Sequence, residues 1–243
     1  MTVAQRGQLG KWEAFWEEPV IVPEATHVLA VDLVLEQLRR YERPGQRLRV
    51  LDLGCGAGRV VRLIRQAGYH VVGLDLAEGA LRSARRELGS AAHLIQGDAF
   101  QLGLATGSFD VVVSLGYASV GSYHNAQAEL ARVLRPGGLA LIDFRRVSLY
   151  YLPVLATRGR HYLRAWRRGE VALPGLGLRL DPSWAAASLR PLASRAFNTF
   201  PPCGERIPRR AALAFERYLG RPLAPLLART TLVLFRHLPP AGP

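Results

Sequence analysis

Apolar positions recur along this chain in two rhythms. In THVLAVDLVLEQLRR, residues 26–40, Val31, Leu35 and Leu38 stand at i, i+4 and i+7, one face of a helix. Pro44 and Gly45 break that pattern. RLRVLDLG (47–54) is a short apolar run, the mark of a strand buried on both faces, and AGRVVRLIRQAG (57–68) returns to helical spacing until Gly68 closes it. HVVGLD (70–75) predicts a second strand, and AEGALRSARREL (77–88) a helix with Leu81, Ala84 and Leu88 on one face and Arg82, Arg85 and Arg86 on the other. HLIQGD (93–98), FDVVVS (109–114) and GLALIDF (138–144) predict further strands. Between the last two, NAQAELARVLR (125–135) predicts a helix ended by Pro136-Gly137-Gly138. Strands and helices alternating at this size predict an α/β fold, a mostly parallel sheet with helices on both faces.

After Phe144 the rhythm breaks. Residues 145–180 show no clean period, and DPSWAAASL predicts a short helix capped by Asp181 with Pro182 at its first position. SRAFNTF (194–200) and RTTLVLFRHL (229–238) predict two closing strands, with a helix through RRAALAFERYL (209–219) between them. The organisation expected is an N-terminal helical cap over residues 1–45, a core over 46–144, an insert over 145–190 and closing elements of the same domain over 191–243.

Composition adds limits. At 243 residues, 49% hydrophobic and 21% charged, the chain is long enough for one large domain and too apolar to be disordered. No run of apolar residues is long enough for a transmembrane helix, and the first residues lack a basic-then-apolar signal pattern. Cys55 and Cys203 make neither a disulfide framework nor a metal-ligand spacing. The expectation is a cytoplasmic protein without a metal. The net charge of +13 sits entirely in one part: residues 1–144 carry 14 Arg, one Lys and 15 acids, whereas 145–243 carry 17 Arg against four acids. A general preference for Arg explains Arg in place of Lys, but not the missing acids. An anionic partner for the last third is one reading of that asymmetry.

The candidate chemistry lies in VLDLGCGAGRVVRLI, residues 50–64. Gly54, Gly56 and Gly58 separate a buried strand from a helix start, where bare backbone N–H groups and the helix N-terminus favour an anionic or polar ligand. A dinucleotide site wants G-x-G-x-x-G, yet position 59 is Arg, and no Gly-Lys-Ser/Thr follows as a P-loop requires. Asp75 ends the next strand, where two carboxylate oxygens suit both hydroxyls of a ribose. Asp98, at a third strand end, suits an adenine amino group, with Phe100 as an apolar wall. Asp52 caps the turn, reaches a ligand, or does both. Cys55 reads as a small filler in the turn, and Asp110 as structural. Three successive strand ends thus predict a nucleoside pocket at the carboxyl edge of the sheet.

In order and spacing, LDLGCGAG, the acid of VVGLDLAEGAL, QGDAF, FDVVVS and LARVLRPGGLALIDF resemble the class I S-adenosylmethionine-dependent methyltransferases over residues 46–144. The resemblance implies a Rossmann-like, doubly wound, seven-stranded sheet, mostly parallel with an antiparallel last strand supplied by TLVLFRHL, and a helical insert after strand 5. It implies S-adenosylmethionine as cofactor and S-adenosylhomocysteine as product. Gly54, Cys55, Gly56 and Gly58 then line the methionine portion and Asp52 reaches its amino end. Asp75 holds the ribose, Leu76 packs on the adenine, Asp98 and Ala99 read its edge, and Ser114, Leu115 and Gly116 approach the sulfonium.

Methyl transfer from a sulfonium is an in-line displacement that depends chiefly on alignment, and a base is needed only where the acceptor must lose a proton. His124 is the best base by chemistry, with Tyr117 and Tyr123 as neighbours, though a His there also suits the flank of the following helix. No N-P-P-Y-like or D-P-P-Y-like element and no proline–cysteine nucleophile motif follows the fourth strand. SLGYASVG and LRPGG resemble the branch acting on small molecules, lipids or quinone-type precursors. Trp12, Phe15 and Trp16, and the insert with Tyr150, Tyr151, Tyr162 and Trp166 among its arginines, are the candidate acceptor grips. Aromatics among Arg suit stacked bases and phosphates as well as an anionic lipid surface. The leading expectation is a methyltransferase for a small or lipid-like acceptor. The alternatives are an RNA methyltransferase using residues 145–243, and a non-catalytic protein that binds S-adenosylmethionine.

Overall fold

The computed structural model describes residues 24–115, 126–145, 183–197 and 230–238, with isolated positions between 160 and 228. In chain order the elements are α1 (Glu24–Tyr41), β1 (Arg49–Leu53), α2 (Arg59–Gln66), β2 (His70–Asp75), α3 (Glu78–Leu88), β3 (His93–Gln96), β4 (Phe109–Ser114), α4 (Gln127–Val133), β5 (Leu134–Arg145), α5 (Ser183–Ala186), β6 (Leu189–Phe197) and β7 (Thr230–His237). These seven strands form one sheet in the order β3-β2-β1-β4-β5-β7-β6, and within the insert expected to be helical, Ala172–Leu173 and Gly177–Leu178 pair antiparallel as a separate two-stranded sheet. β2, β1, β4 and their neighbours pair in parallel, whereas β7 runs antiparallel to both β5 and β6. The antiparallel strand is TTLVLFRH, as expected from the sequence.

Successive residues of the central strands feed two separate cores, because a strand alternates faces with period two. Val50, Val111, Val113, Leu139 and Leu141 pack with Val34 and Leu38 of α1, Val61 and Ile64 of α2 and Leu81 of α3. Leu51, Leu53, Val112, Ala140, Ile142 and Phe235 pack on the other face with Leu130 and Val133 of α4. All six residues of β4 are buried, as a middle strand covered on both faces requires. The edge strands β3 and β6 are largely exposed.

Two boundaries differ from expectation. The helix predicted over 125–135 stops at Val133, and Leu134 is already extended at φ −76°, ψ 137°. The residue before a proline is disfavoured in the α region, so Arg135-Pro136 rejects the last helical turn. β5 therefore starts at Leu134, pairs with Phe109, and slips register before Leu139 meets Val111. The strand predicted over 194–200 begins instead at Leu189. Its first half holds Pro191, admitted because β6 is an edge strand and the register shifts between Pro191 and Ala193. The helix predicted over 209–219 and the insert 145–190 fall mostly outside the described residues. Among the described residues no helix is long and apolar enough to cross a membrane, and no group of three His, Cys, Asp or Glu could hold a metal ion.

Candidate cofactor site

β1 and β4 are neighbours from which the chain winds in opposite directions, and the crevice beyond their carboxyl ends is where open α/β sheets bind ligands. The glycine turn occupies that crevice. Gly54, Gly56 and Gly58 all have positive φ, of 75°, 53° and 79°, a region that side-chain-bearing residues rarely adopt. Gly58 is also pinned by packing, since a Cβ there would lie 2.6 Å from Leu88 Cδ1 on α3. The N–H groups of Gly54 and Cys55 both donate to the Leu74 carbonyl, at 2.8 and 3.0 Å, which fastens the turn to β2. Inside β2, Gly73 lets this corner close, because a Cβ would meet Val61 Cγ2 at 2.9 Å and Cys55 Sγ at 3.0 Å.

Three carboxylates stand along the edge. Asp75 Oδ2 accepts the Gly56 N–H at 2.8 Å and Oδ1 accepts the Ala77 N–H at 3.0 Å. The acid expected to hold the ribose ties the turn to β2 and braces Ala77, the residue before α3. Asp98 Oδ1 accepts the Phe100 N–H at 2.9 Å, which shapes the loop that follows β3. Asp52, inside β1, is 1% exposed, and its Oδ2 meets no donor among the described residues. Burial, and then the charge of Asp75, push its carboxyl up to about 8, against a backbone N–H of Val61 that pulls it down.

The other expected residues divide. Ala99, Leu115 and Cys55 are buried, and Leu76 is half-buried next to Asp75. Burial, together with Asp52 and Asp75, pushes the Cys55 thiol far up, so it stays neutral, as a filler should. Ser114 is fully buried, and its hydroxyl donates to the Leu53 carbonyl at 3.0 Å, locking the ends of β4 and β1 together. Gly116, Tyr117, Tyr123 and His124, and the aromatics at Trp12, Phe15 and Trp16, lie outside the described residues.

Two supports of the site were not foreseen from sequence. Gln96 Nε2 donates to the Leu76 carbonyl at 3.1 Å, holding the loop after β2 against β3. Arg132 on α4 donates to the carbonyls of Leu102 and Leu104, both at 2.7 Å, while Glu129 Oε2 accepts the Leu102 N–H at 2.7 Å. The Arg132 hydrogen bond holds the Glu129 carboxyl below the usual range. This i,i+3 pair clamps the loop that carries Asp98 and Ala99. Its only sequence signal is the E-x-x-R of AELARV, which exposed helices also show.

The opposite edge is built differently. Buried Asp110 takes the Arg49 N–H at 2.6 Å and pairs with Arg135 at 2.5 Å. Arg135 also lies over the Tyr41 ring, whose hydroxyl donates to the Gly137 carbonyl at 2.8 Å. A cavity of about 720 Å³ opens there, lined by Arg40, Arg43, Arg135 and Arg236 among others. It lies far from the strand ends that carry the carboxylates.

The residues present fit S-adenosylmethionine. Buried Asp52 with an orphaned oxygen suits a cationic ligand, and the three glycines form a cradle that a Cβ would strain. Comparison with known proteins agrees. Residues 50–138 match the family model described as methyltransferase domain. A malonyl-[acyl-carrier protein] O-methyltransferase of Enterobacter lignolyticus is 39% identical over 120 residues, covering 49% of this chain and 44% of its own length. A demethylmenaquinone methyltransferase of Thermus thermophilus is 35% identical over 122 residues, 47% of this chain and 52% of its own. The chain thus spans about half the length of these curated relatives. An uncharacterised methyltransferase of Synechocystis sp. is 34% identical over 176 residues, 64% of this chain and 78% of its own. A solved methyltransferase of Methanosarcina mazei shares the fold, with TM-score 0.59 at 17% identity, over 83% of this chain and 97% of its own. With its glycine turn, its strand-end acids and a sheet in the order 3-2-1-4-5-7-6, this chain belongs to the class I S-adenosylmethionine-dependent methyltransferase family.

Proposed function

We propose that the protein transfers the methyl group of S-adenosylmethionine to a small-molecule or lipid-like acceptor. The observation that carries the reading is the row of strand-end acids, Asp52, Asp75 and Asp98, around a turn whose three glycines all need positive φ. Gly54, Gly56 and Gly58, with Asp52, would hold the methionine end, Asp75 the ribose, and Leu76, Asp98 and Ala99 the adenine. When bound, the cofactor supplies a methyl already activated by its sulfonium. The chain's part is then to align the acceptor and keep water out, and such alignment contributes on the order of 7–11 kcal/mol. Ser114 and Leu115 would sit at the acceptor side. His124, assisted by Tyr117, would take a proton where the acceptor has one to lose.

The acceptor class rests on the relatives. Two of the relatives are named for malonyl-[acyl-carrier protein] and for demethylmenaquinone. The test is transfer of labelled methyl from S-adenosylmethionine into cell extract, fractionated into lipid, small molecule, protein and RNA. Label in the lipid or small-molecule fraction is expected. Label in RNA alone would overturn the acceptor class and assign the arginine-rich last third to phosphate binding.

A further inference from the structure

Asp52 is the least ordinary group in the site. Its carboxyl is 1% exposed, and Oδ2 faces no donor among the described residues. A buried ionised carboxylate that has one backbone N–H, one oxygen without a donor and no counter-charge is disfavoured. Its surroundings deepen that penalty. β2 presents Asp75, a second carboxylate, whose charge acts on Asp52. The turn presents the Cys55 thiol, which is neutral and brings no charge. β4 presents Ser114, whose hydroxyl already serves the Leu53 carbonyl. α2 gives the Val61 N–H and carries Arg59 and Arg62 at its start, and Arg62 pairs with Glu87 of α3 at 2.9 Å. Of the two carboxyls, Asp75 accepts two backbone N–H groups, which favour its ionised form. A single proton shared by this corner therefore belongs on Asp52.

Resting on the methyltransferase reading, we propose that Asp52 is protonated in the cofactor-free protein and releases that proton to solvent when S-adenosylmethionine binds. The O–H bond of Asp52 breaks, the proton goes to buffer, and the carboxylate left behind faces the cofactor's cationic groups. The only bond formed is the one between that proton and the buffer base. A ligand that brings no cationic group to this corner would leave Asp52 protonated and release no proton. The raised carboxyl agrees with the geometry, and below about pH 8 it makes affinity rise about tenfold per pH unit.

Isothermal titration calorimetry at pH 6.5 tests this. There the α-amino group of the ligand itself is charged, so it brings no proton to lose. S-adenosylmethionine is titrated into the protein in two buffers of different ionisation enthalpy. The expected result is a buffer-dependent heat corresponding to nearly one proton released, absent in Asp52→Asn. A heat that does not depend on buffer, with binding intact, overturns the proposal and leaves the methyltransferase reading standing, as does a release that persists in Asp52→Asn. No binding of S-adenosylmethionine at any pH overturns both. If Asp52→Asn does not fold, infrared difference spectroscopy of the native protein decides. The carbonyl stretch of a protonated carboxyl must disappear as the cofactor is added, and its persistence refutes the assignment.

Discussion

Asp75 does two jobs with one carboxylate, and they set what its removal costs. Both oxygens accept backbone N–H groups, and a carboxylate has lone pairs left for two hydroxyls. Asp75→Ala is expected to raise the dissociation constant for S-adenosylmethionine roughly 100-fold, about 2.7 kcal/mol. Unchanged affinity in calorimetry would remove the ribose assignment. Asp52 makes its prediction on stability. Its carboxyl titrates near 3.8 when unfolded and at about 8 when folded. Between those values the folded state holds the extra proton, so the cofactor-free protein loses stability as pH rises from about 4 to about 8, and this contribution then levels off. Urea midpoints at pH 5.5, 7 and 8.5 should fall for the native chain more steeply than for Asp52→Asn. Parallel curves would show that Asp52 is ionised in the folded state. Asp75 was readable as a strand-end acid and Asp52 as the acid that precedes the glycine turn. Their protonation was not, because it depends on the distance between neighbouring strands and on burial, which a linear sequence does not contain.

At the level of elements, the glycine turn is where local and tertiary demands coincide. Gly58 must adopt φ 79° and must also leave room for Leu88 and Ala84 of α3. Gly58→Ala is expected to cost about 2–3 kcal/mol through strain and overpacking together. A chemical denaturation curve checks it, and a loss below about 0.5 kcal/mol would mean that α3 shifts freely. The packing role was invisible in sequence, where Gly58 reads only as part of G-x-G-x-G. The misplaced boundaries have the same origin. ARVLR carries a helical apolar pattern, but Arg135-Pro136 and the pairing of Leu134 with Phe109 turn its end into strand. LRPLA has Pro191 and an exposed face, a poor strand in isolation, and it is one only because β7 pairs with it along its length. The clamp of Arg132 and Glu129 on Leu102 and Leu104 arises because α4 packs beside a loop some thirty residues earlier.

On the scale of the whole molecule, the two edges of the sheet are built differently. The carboxyl edge carries the glycine turn and the acids, and the opposite edge carries Asp110, which binds Arg135 and the backbone of Arg49 and thereby joins β1, β4 and β5. Asp110→Ala leaves the Arg49 N–H without its acceptor and the partly exposed Arg135 without its partner, so it is expected to destabilise by roughly 1–3 kcal/mol. Its dissociation constant for S-adenosylmethionine should stay within about threefold of native, measured well below the melting temperature, and a tenfold loss would show that the two edges are coupled. The sequence by itself determined the fold class, the antiparallel last strand implied by family resemblance, and where acids stand beside the glycine turn. It could do so because hydrophobic period is set by local geometry, and because a turn at positive φ demands glycine wherever it lies. Only the tertiary structure decided which oxygens those acids have left for a ligand, that Ser114 locks β1 to β4, where β5 and β6 begin, and that Asp52 is buried beside a second carboxylate. Each depends on groups far apart in the chain meeting in space, and there desolvation and pairing, not local propensity, set the energy.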